Sequence, residues 1–455
     1  MTSAAERLAA NMNIGMLARA GELKKRLLFV LGALVVYRIG TYIPIPGVDP
    51  LILNQIFQQQ QGGVLGVFNM FSGGALGRMT IFALAVMPYI SASIIMQLLS
   101  VTVPSLQQLK KEGEAGRRKI NQYTRYGTVV LSLAQSYGIA VGLEGMQAPA
   151  GGSAVLEPGV FFRFSTMVTL TGGTLFLMWL GEQITQRGIG QGISLIIFTG
   201  IVAELPGAVA ATMELGRENV IPTAVLLLVL AIALGLMALI VFVERAQRRI
   251  LIQYPKRQMG NRLVQGESQH LPLKLNTAGV IPPIFASSIL LFPLTIANFN
   301  EGGGPEWLQL VSTYIAHGQP LYIALYVAII IFFCFFYTSV VFNPDDTADN
   351  LKKNGGFIAG IRPGKNTADY LDYVLTRLTA VGAIYLALVC TLPELLIAKY
   401  AIPFYLGGTS LLILVNVLMD FIGQVQSHLF AHQYEGLIKQ AKLRGSGKQR
   451  QPRMR

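Results

Sequence analysis

The sequence predicts an all-α integral membrane protein of about ten transmembrane helices, with both termini on the cytoplasmic side. Three observations carry that expectation. Of the 455 residues 52% are hydrophobic and only 13% charged, about half the charged share of an ordinary soluble protein. Such a chain cannot cover a water-soluble surface. Its mean hydropathy is +0.51, with the apolar residues in long blocks and not at amphipathic spacing. The blocks run to roughly 20 residues, the length that crosses the hydrocarbon core.

Taken in order, spans are expected at 23–43, 75–99, 122–143, 160–181, 191–213, 220–243, 277–299, 320–342, 373–397 and 402–426. The first 26 residues are polar and basic, and the apolar run behind them lacks a small-residue cleavage pattern. The first span is therefore read as retained, not as a removed leader. An even number of spans puts both ends on one side, and the basic residues say which. All of the 36 Lys and Arg except five lie in the N-terminal tail, the loops on its side, or the C-terminal tail. Of the five, Arg217 and Lys399 stand on the opposite side, and Arg38, Arg78 and Arg163 lie inside or at the edges of spans. Basic loops stay in the cytoplasm, so the asymmetry sets the orientation. It also accounts for most of the net charge of +13 without a nucleic-acid partner.

The polar residues exclude several function classes. Cys334 and Cys390 each sit inside an apolar block with no CxxC or His companion, and are read as packing residues. His428 and His432 have the i, i+4 spacing of a helical metal pair, but no third ligand accompanies them, which favours a solvated helix face. The segment GIRPGK (Gly360–Lys365) has one spacer too few for a phosphate loop, and Asn366 stands where Ser or Thr should follow. No nucleotide hydrolysis and no cofactor are expected. A membrane-bound enzyme needs His, Cys or carboxylates clustered on one face, and none is evident. Ion-coupled transporters place carboxylates, His or unwound backbone near the bilayer centre. Here Arg38 lies a few residues from the outer end of span one, where it can snorkel; Glu182 and Asp420 lie near cytoplasmic ends, and Glu204 toward the outer end of span five. They form no evident ion relay, which leaves a secondary transporter for a small solute as the runner-up reading.

One segment breaks the pattern of spans. Gln58 to Met79 reads QQQQGGVLGVFNMFSGGALGRM, and its apolar part, Val64 to Phe71, would cover roughly 12 Å as a helix. Gly62-Gly63 and Gly73-Gly74 flank it as flexible joints. The residues alone leave two readings open, a movable re-entrant segment and a static surface helix. Two cytoplasmic loops, about 246–276 and 343–372, are unusually long. The first contains RILIQYPKRQ, which alternates like a strand and points to a projecting hairpin. The second ends in Gly360, Arg362, Pro363 and Gly364, a turn that displays a guanidinium. Long exposed loops usually act on partners, although charges kept for topology alone explain the same pattern.

Eight motifs in order carry a resemblance: IPIPGVDP (Ile43–Pro50), NMFSGGAL (Asn69–Leu76), MPYISASIIMQLL (Met87–Leu99), KKEGEAGRRKINQYTRYGT (Lys110–Thr128), LGEQIT with RGIGQGIS (Leu180–Ser194), HLPLKLNTAGVIPPIFASS (His270–Ser288), FNPDDTADNLKKNGGFIAGIRPG (Phe342–Gly364) and PFYLGGTSLLI (Pro403–Ile413). From about Gly21 to Leu443 the chain resembles the SecY family, the central subunit of the bacterial Sec translocon. The loops about 144–158 and 299–318 and the two tails carry no such signature.

The resemblance implies two pseudo-symmetric five-helix halves with a pore between them. By its measure 1–22 is a cytoplasmic N-terminal segment, 23–213 the N-terminal half, 214–426 the C-terminal half and 427–455 a cytoplasmic tail. It implies a protein-conducting channel that passes unfolded polypeptides across the cytoplasmic membrane and releases transmembrane segments sideways into lipid. An aliphatic pore ring falls on Val86, Ile90, Ile193, Ile197, Ile284 and Ile413. A plug of about 64–74 falls on Val64, Leu65, Val67, Phe68, Asn69, Met70, Phe71, Gly73 and Gly74. A lateral gate between spans two and seven takes Ser91, Gln97, Ser288 and Phe292, with Ser91 and Phe292 expected to face one another. Docking of the motor and the ribosome falls on Arg248, Arg249, Lys256, Arg257 and Arg362. The implied partners are the small membrane subunits SecE and SecG, the SecA motor ATPase, the ribosome, polypeptides bearing signal sequences, and membrane lipid.

Overall fold

A computed structural model describes residues 21–49, 52–53, 69–145, 153–217, 222–254, 257–259, 262–264, 268–299, 319–400 and 407–445. Ten long helices answer the expected spans: α1 (Gly21–Gly40), α2 (Met87–Thr102), α4 (Glu114–Gly145), α5 (Val160–Arg187), α6 (Gly192–Arg217), α7 (Thr223–Arg245), α8 (Ile281–Phe299), α9 (Pro320–Val341), α11 (Lys365–Tyr400) and α12 (Gly408–Gly445). Two short ones, α3 (Pro104–Lys111) and α10 (Pro344–Lys353), lie between them. Among the described residues seven of the long helices can each cross a membrane by length and composition, and α2 with α3 meets the same criterion only as a pair, bent by 97° at the break between them. Of the other two, α1 carries charges at its ends, from Glu22 to Arg26 and at Arg38, and α8 contributes a shorter apolar stretch, Ile281–Leu290. The outward faces are apolar: Val160 is 82% exposed, Phe161 84% and Phe242 74%. Water does not tolerate so much apolar surface, and lipid does.

Span two begins later than expected. Residues 75–86 are not helical; the chain runs in turns from Ser72 to Val86 and α2 starts at Met87. Local chemistry explains the shift. Gly73 and Gly74 adopt left-handed backbone (φ +66° and +80°), and Ala85 does so as well, at φ +48°. Pro88, which lacks an N–H, occupies the first helical turn, where that donor is not needed. Hydropathy sees only the apolar side chains of Ile81 to Val86 and extends the helix through them.

Three apolar clusters hold the bundle. One joins α7, α8, α9, α11 and α12 around Ile240, Ile330, Leu386 and Leu412. A second lies between the extended segment near Ile45, the turns of 76–84 and helices α4 and α5. The third joins α1, α5, α6 and the start of α2 to Ile413 of α12. Helices α4 and α5 are also stapled at both ends. Arg125 Nε and Nη2 donate to the two Glu182 carboxylate oxygens at 2.9 and 2.7 Å, and Arg163 donates to Glu144 Oε2 at 2.8 and 2.6 Å. Forked guanidinium–carboxylate contacts fix direction as well as distance.

The two long loops, 246–276 and 343–372, read separately in the sequence, form one body in their described parts. β1 (Gln247–Gln253) pairs antiparallel with β4 (Ser268–Lys274), as the alternation of RILIQ suggested, with Arg248 opposite Leu273 and Ile250 opposite Leu271. Two short strands, β2 (Arg257–Met259) and β3 (Arg262–Val264), pair beyond them. The other edge of β1 takes β5 (Phe357–Ile358) from the second loop, giving the order β4-β1-β5. Ile250, Leu273 and Ile358 turn inward onto Leu371 and Val374 of α11. That burial explains why strands so short are held: their apolar face has a helix to cover it.

Candidate functional site

The six aliphatic positions singled out in the sequence converge. Val86 stands just before α2 and Ile90 one turn into it; Ile193 and Ile197 are one turn apart on α6; Ile284 comes from α8 and Ile413 from α12. Pairs at i, i+4 share a helix face, so four segments each present branched side chains to one point. Val86, Ile197 and Ile413 are 2%, 7% and 3% exposed, and Ile90, Ile193 and Ile284 are partly buried in the same cluster. All but Ile193 line a cavity of about 10 Å³, at the lower limit for holding one water molecule. Its one hydroxyl, on Ser287, is turned away into its own helix, where it donates to Ile284 O at 3.0 Å. The middle of the bundle is thus closed by packed aliphatic groups and offers no hydrogen bond to a passing chain.

Phe71 also lines this cavity, 5% exposed, and brings the segment after Asn69 onto the cluster. Asn69, Met70 and Phe71 form a short helical turn. Asn69 Oδ1 accepts from Gly77 N at 2.6 Å, Ser72 Oγ donates to Asn69 O at 2.9 Å, and Ser410 Oγ of α12 donates to Met70 Sδ at 3.5 Å. Val64, Leu65, Val67 and Phe68 lie outside the described residues. The sequence reading missed the helix side of this seat. Tyr37 Oη of α1 donates to Ser72 O at 3.1 Å, and Arg38 Nη1 to Gly73 O at 2.8 Å. Arg38 also has protein partners that the sequence reading did not foresee: the Gly73 carbonyl and the hydroxyl of Tyr42, at 3.0 Å, hold it. The available signal was Gly200, an isolated glycine in an apolar span, which leaves room for the segment against α6.

Between α2 and α8 runs a seam filled by Ile94, Phe285 and Phe333 of α9, with Phe285 and Phe333 edge to face at 5.4 Å. The expected gate residues Ser91, Gln97 and Ser288 are half-buried on the two helices. Gln97 Oε1 and Ser288 Oγ are buried without a hydrogen bond among the described residues, an arrangement that weakens a closed seam. The side chain of Phe292 lies outside the described residues, so its facing Ser91 is not addressed by the geometry. Arg248 and Arg249 of β1 and Arg362, just past β5, are exposed and belong to the same sheet-based body. Lys256 and the side chain of Arg257 lie outside the described residues. Among the described residues no three His, Cys, Asp or Glu side chains are placed to hold a metal ion, and Cys334 and Cys390 are free and 1% exposed.

Comparison with known proteins agrees over most of the length. The family model described as SecY matches residues 80–422. The chain is 58% identical over 429 residues to "Protein translocase subunit SecY" of Escherichia coli strain K12, covering 94% of this chain and 96% of that one. It is 55% identical over 425 residues to the protein of the same description from Rickettsia typhi, covering 93% and 98%. Among solved structures it is similar to "The structure of a protein conducting channel", with a TM-score of 0.61 at 16% identity over 89% of this chain and 92% of that one. It is also similar to Sec61 in the canine ribosome-channel complex from the endoplasmic reticulum, with a TM-score of 0.58 at 15% identity over the same shares, 89% and 92%. At those identities the structural likeness shows a shared fold.

Proposed function

The chain belongs to the SecY family, and from that premise we propose that it is a protein-conducting channel subunit that passes unfolded polypeptides across the bacterial inner membrane and releases apolar segments sideways into lipid. The observation that carries the reading is the aliphatic constriction of Val86, Ile90, Ile193, Ile197, Ile284 and Ile413, capped by Phe71, at the meeting point of the N-terminal and C-terminal helices. Branched aliphatic groups exclude water from a narrow closed path, and they seal around many sequences because they demand no particular partner. The halves 23–213 and 214–426 are then the two sides of the opening, with both termini in the cytoplasm. The segment 64–74 is the plug over the constriction, and α2 and α8 are the edges of the gate. A signal sequence passing through that seam gains roughly 0.8 kcal/mol for each methylene it moves into lipid.

The same reading makes the cytoplasmic sheet, with Arg248, Arg249, Lys256, Arg257 and Arg362, the face for SecA and the ribosome. Forked donors suit both acidic side chains and RNA phosphates. SecE and SecG are the proposed small subunits on the lipid-facing helices. The family's solved relatives include a yeast Ssh1 complex bound to the ribosome, which supports the ribosomal route.

Replacing Ile284 by Asn tests the proposal. An amide in the closed constriction costs about 1–3 kcal/mol. That is roughly a 5- to 150-fold shift toward the open state, and export of a reporter with a defective signal sequence should rise accordingly. Unchanged export, together with uptake of a small solute by the purified protein, would favour the transporter reading instead.

A further inference from the structure

Arg38, Arg78 and Glu204, the charges that no ion relay explains, surround one short stretch of backbone. From α1, Tyr37 donates to Ser72 O and Arg38 to Gly73 O, at 3.1 and 2.8 Å. Tyr37 is fully buried, its ring stacked on Phe82 with centroids 6.1 Å apart, so its hydroxyl is aimed by packing. Arg38 is aimed as well: its Nη2 donates to Tyr42 Oη at 3.0 Å, and the Tyr42 ring lies 5.0 Å from the Arg38 guanidinium and 4.4 Å from that of Arg78. On the opposite side the segment rests on α6. A Cβ at Gly200 would stand 3.0 Å from Phe71 O, 3.1 Å from Tyr37 Oη and 3.2 Å from Gly73 N. One turn further on, the Glu204 carboxylate lies against Gly74, where a Cβ would collide with it.

We propose that Tyr37 and Arg38 form a latch on the backbone of Ser72 and Gly73, with Gly200 as its seat, and that this latch sets how readily the segment leaves the aliphatic constriction. They are positioning residues for gating, and the proposal rests on the channel reading above. The apolar contact of Phe71 with the constriction is lost by degrees as the segment slides, but the two hydrogen bonds are directional and release over a fraction of an ångström. Their acceptors are carbonyls, so changes to the segment's own side chains leave the latch in place. Gly73 and Gly74, at φ +66° and +80°, put the carbonyls of Ser72 and Gly73 where α1 reaches them, a backbone shape that side-chain-bearing residues resist. The arrangement also explains a guanidinium within the last turn of a membrane helix, a costly placement without a dedicated acceptor.

The test uses the full complex in proteoliposomes, with Ser72→Cys as a reporter of the seat. Ser72 is 1% exposed, and the native Cys334 and Cys390 are equally buried, so a membrane-impermeant maleimide reads the reporter alone. Tyr37→Phe, which keeps the ring stack, and Arg38→Leu should each raise resting labelling about tenfold and relax export of the defective-signal reporter. Arg38→Lys, which keeps one donor, should restore most of the closure. Unchanged labelling in both variants, with Ile284→Asn still relaxing export, overturns the latch and leaves the constriction standing. No response to any of the three overturns the channel reading with it.

Discussion

At Gly192, where α6 begins, a missing side chain decides where the constriction forms. A Cβ there would overlap the carbonyl of Gly181 on α5, and Gly192 N donates to Thr185 Oγ1 at 2.9 Å. The two glycines let α5 and α6 cross closely, the means by which membrane helices associate when lipid is as apolar as their side chains. Ile193 follows directly and packs on Gly181, where a Cβ would come within 2.8 Å of its Cγ1. Gly192→Val should therefore destabilise the protein by about 1–3 kcal/mol, as overpacking does. A lowered midpoint of thermal denaturation in detergent, with weaker signal-sequence discrimination as Ile193 moves, checks it. The aliphatic six were legible only through the resemblance, because Ile in an apolar span is otherwise ordinary. Ala85 was not legible at all: its left-handed φ of +48° costs about 1–2 kcal/mol and is imposed by the packing of the turns around it.

Element boundaries were legible wherever hydropathy and helix ends coincide, as at α5, expected from 160 and found at Val160–Arg187. They failed at span two because apolar side chains report burial, and the segment Phe82–Val86 is buried without being helical. The two long loops show the converse. Alternation in RILIQ disclosed β1, but the two-residue β5 has no periodicity to read, and its pairing with β1 joins residues more than 100 positions apart. That pairing puts Arg362 on the same body as Arg248 and Arg249. If this face receives the motor, Arg362→Glu should abolish ATP-driven translocation in reconstituted vesicles while the complex assembles normally. Full motor stimulation by the variant would remove Arg362 from the docking surface.

For the whole molecule the decisive feature is the seam between α2 and α8, where Ile94 packs against Phe285 and Phe333 beside polar atoms that find no partner among the described residues. Buried polar atoms without partners make such a seam cheaper to part than a wholly apolar one. A disulfide between Ile94→Cys and Phe285→Cys should block release of a transmembrane segment into lipid, and reduction should restore it; insertion that continues through the oxidised protein would place the exit elsewhere. The class and the number of spans could be read from the residues alone, since each depends on apolar length summed along the chain and set against bilayer thickness. Which of many isoleucines meet, that two distant loops share one sheet, and that Arg38 reaches a carbonyl 35 residues away emerge from the folded chain and not from any stretch of it. Those are matters of three-dimensional proximity between chemically ordinary residues, and local composition carries no record of them.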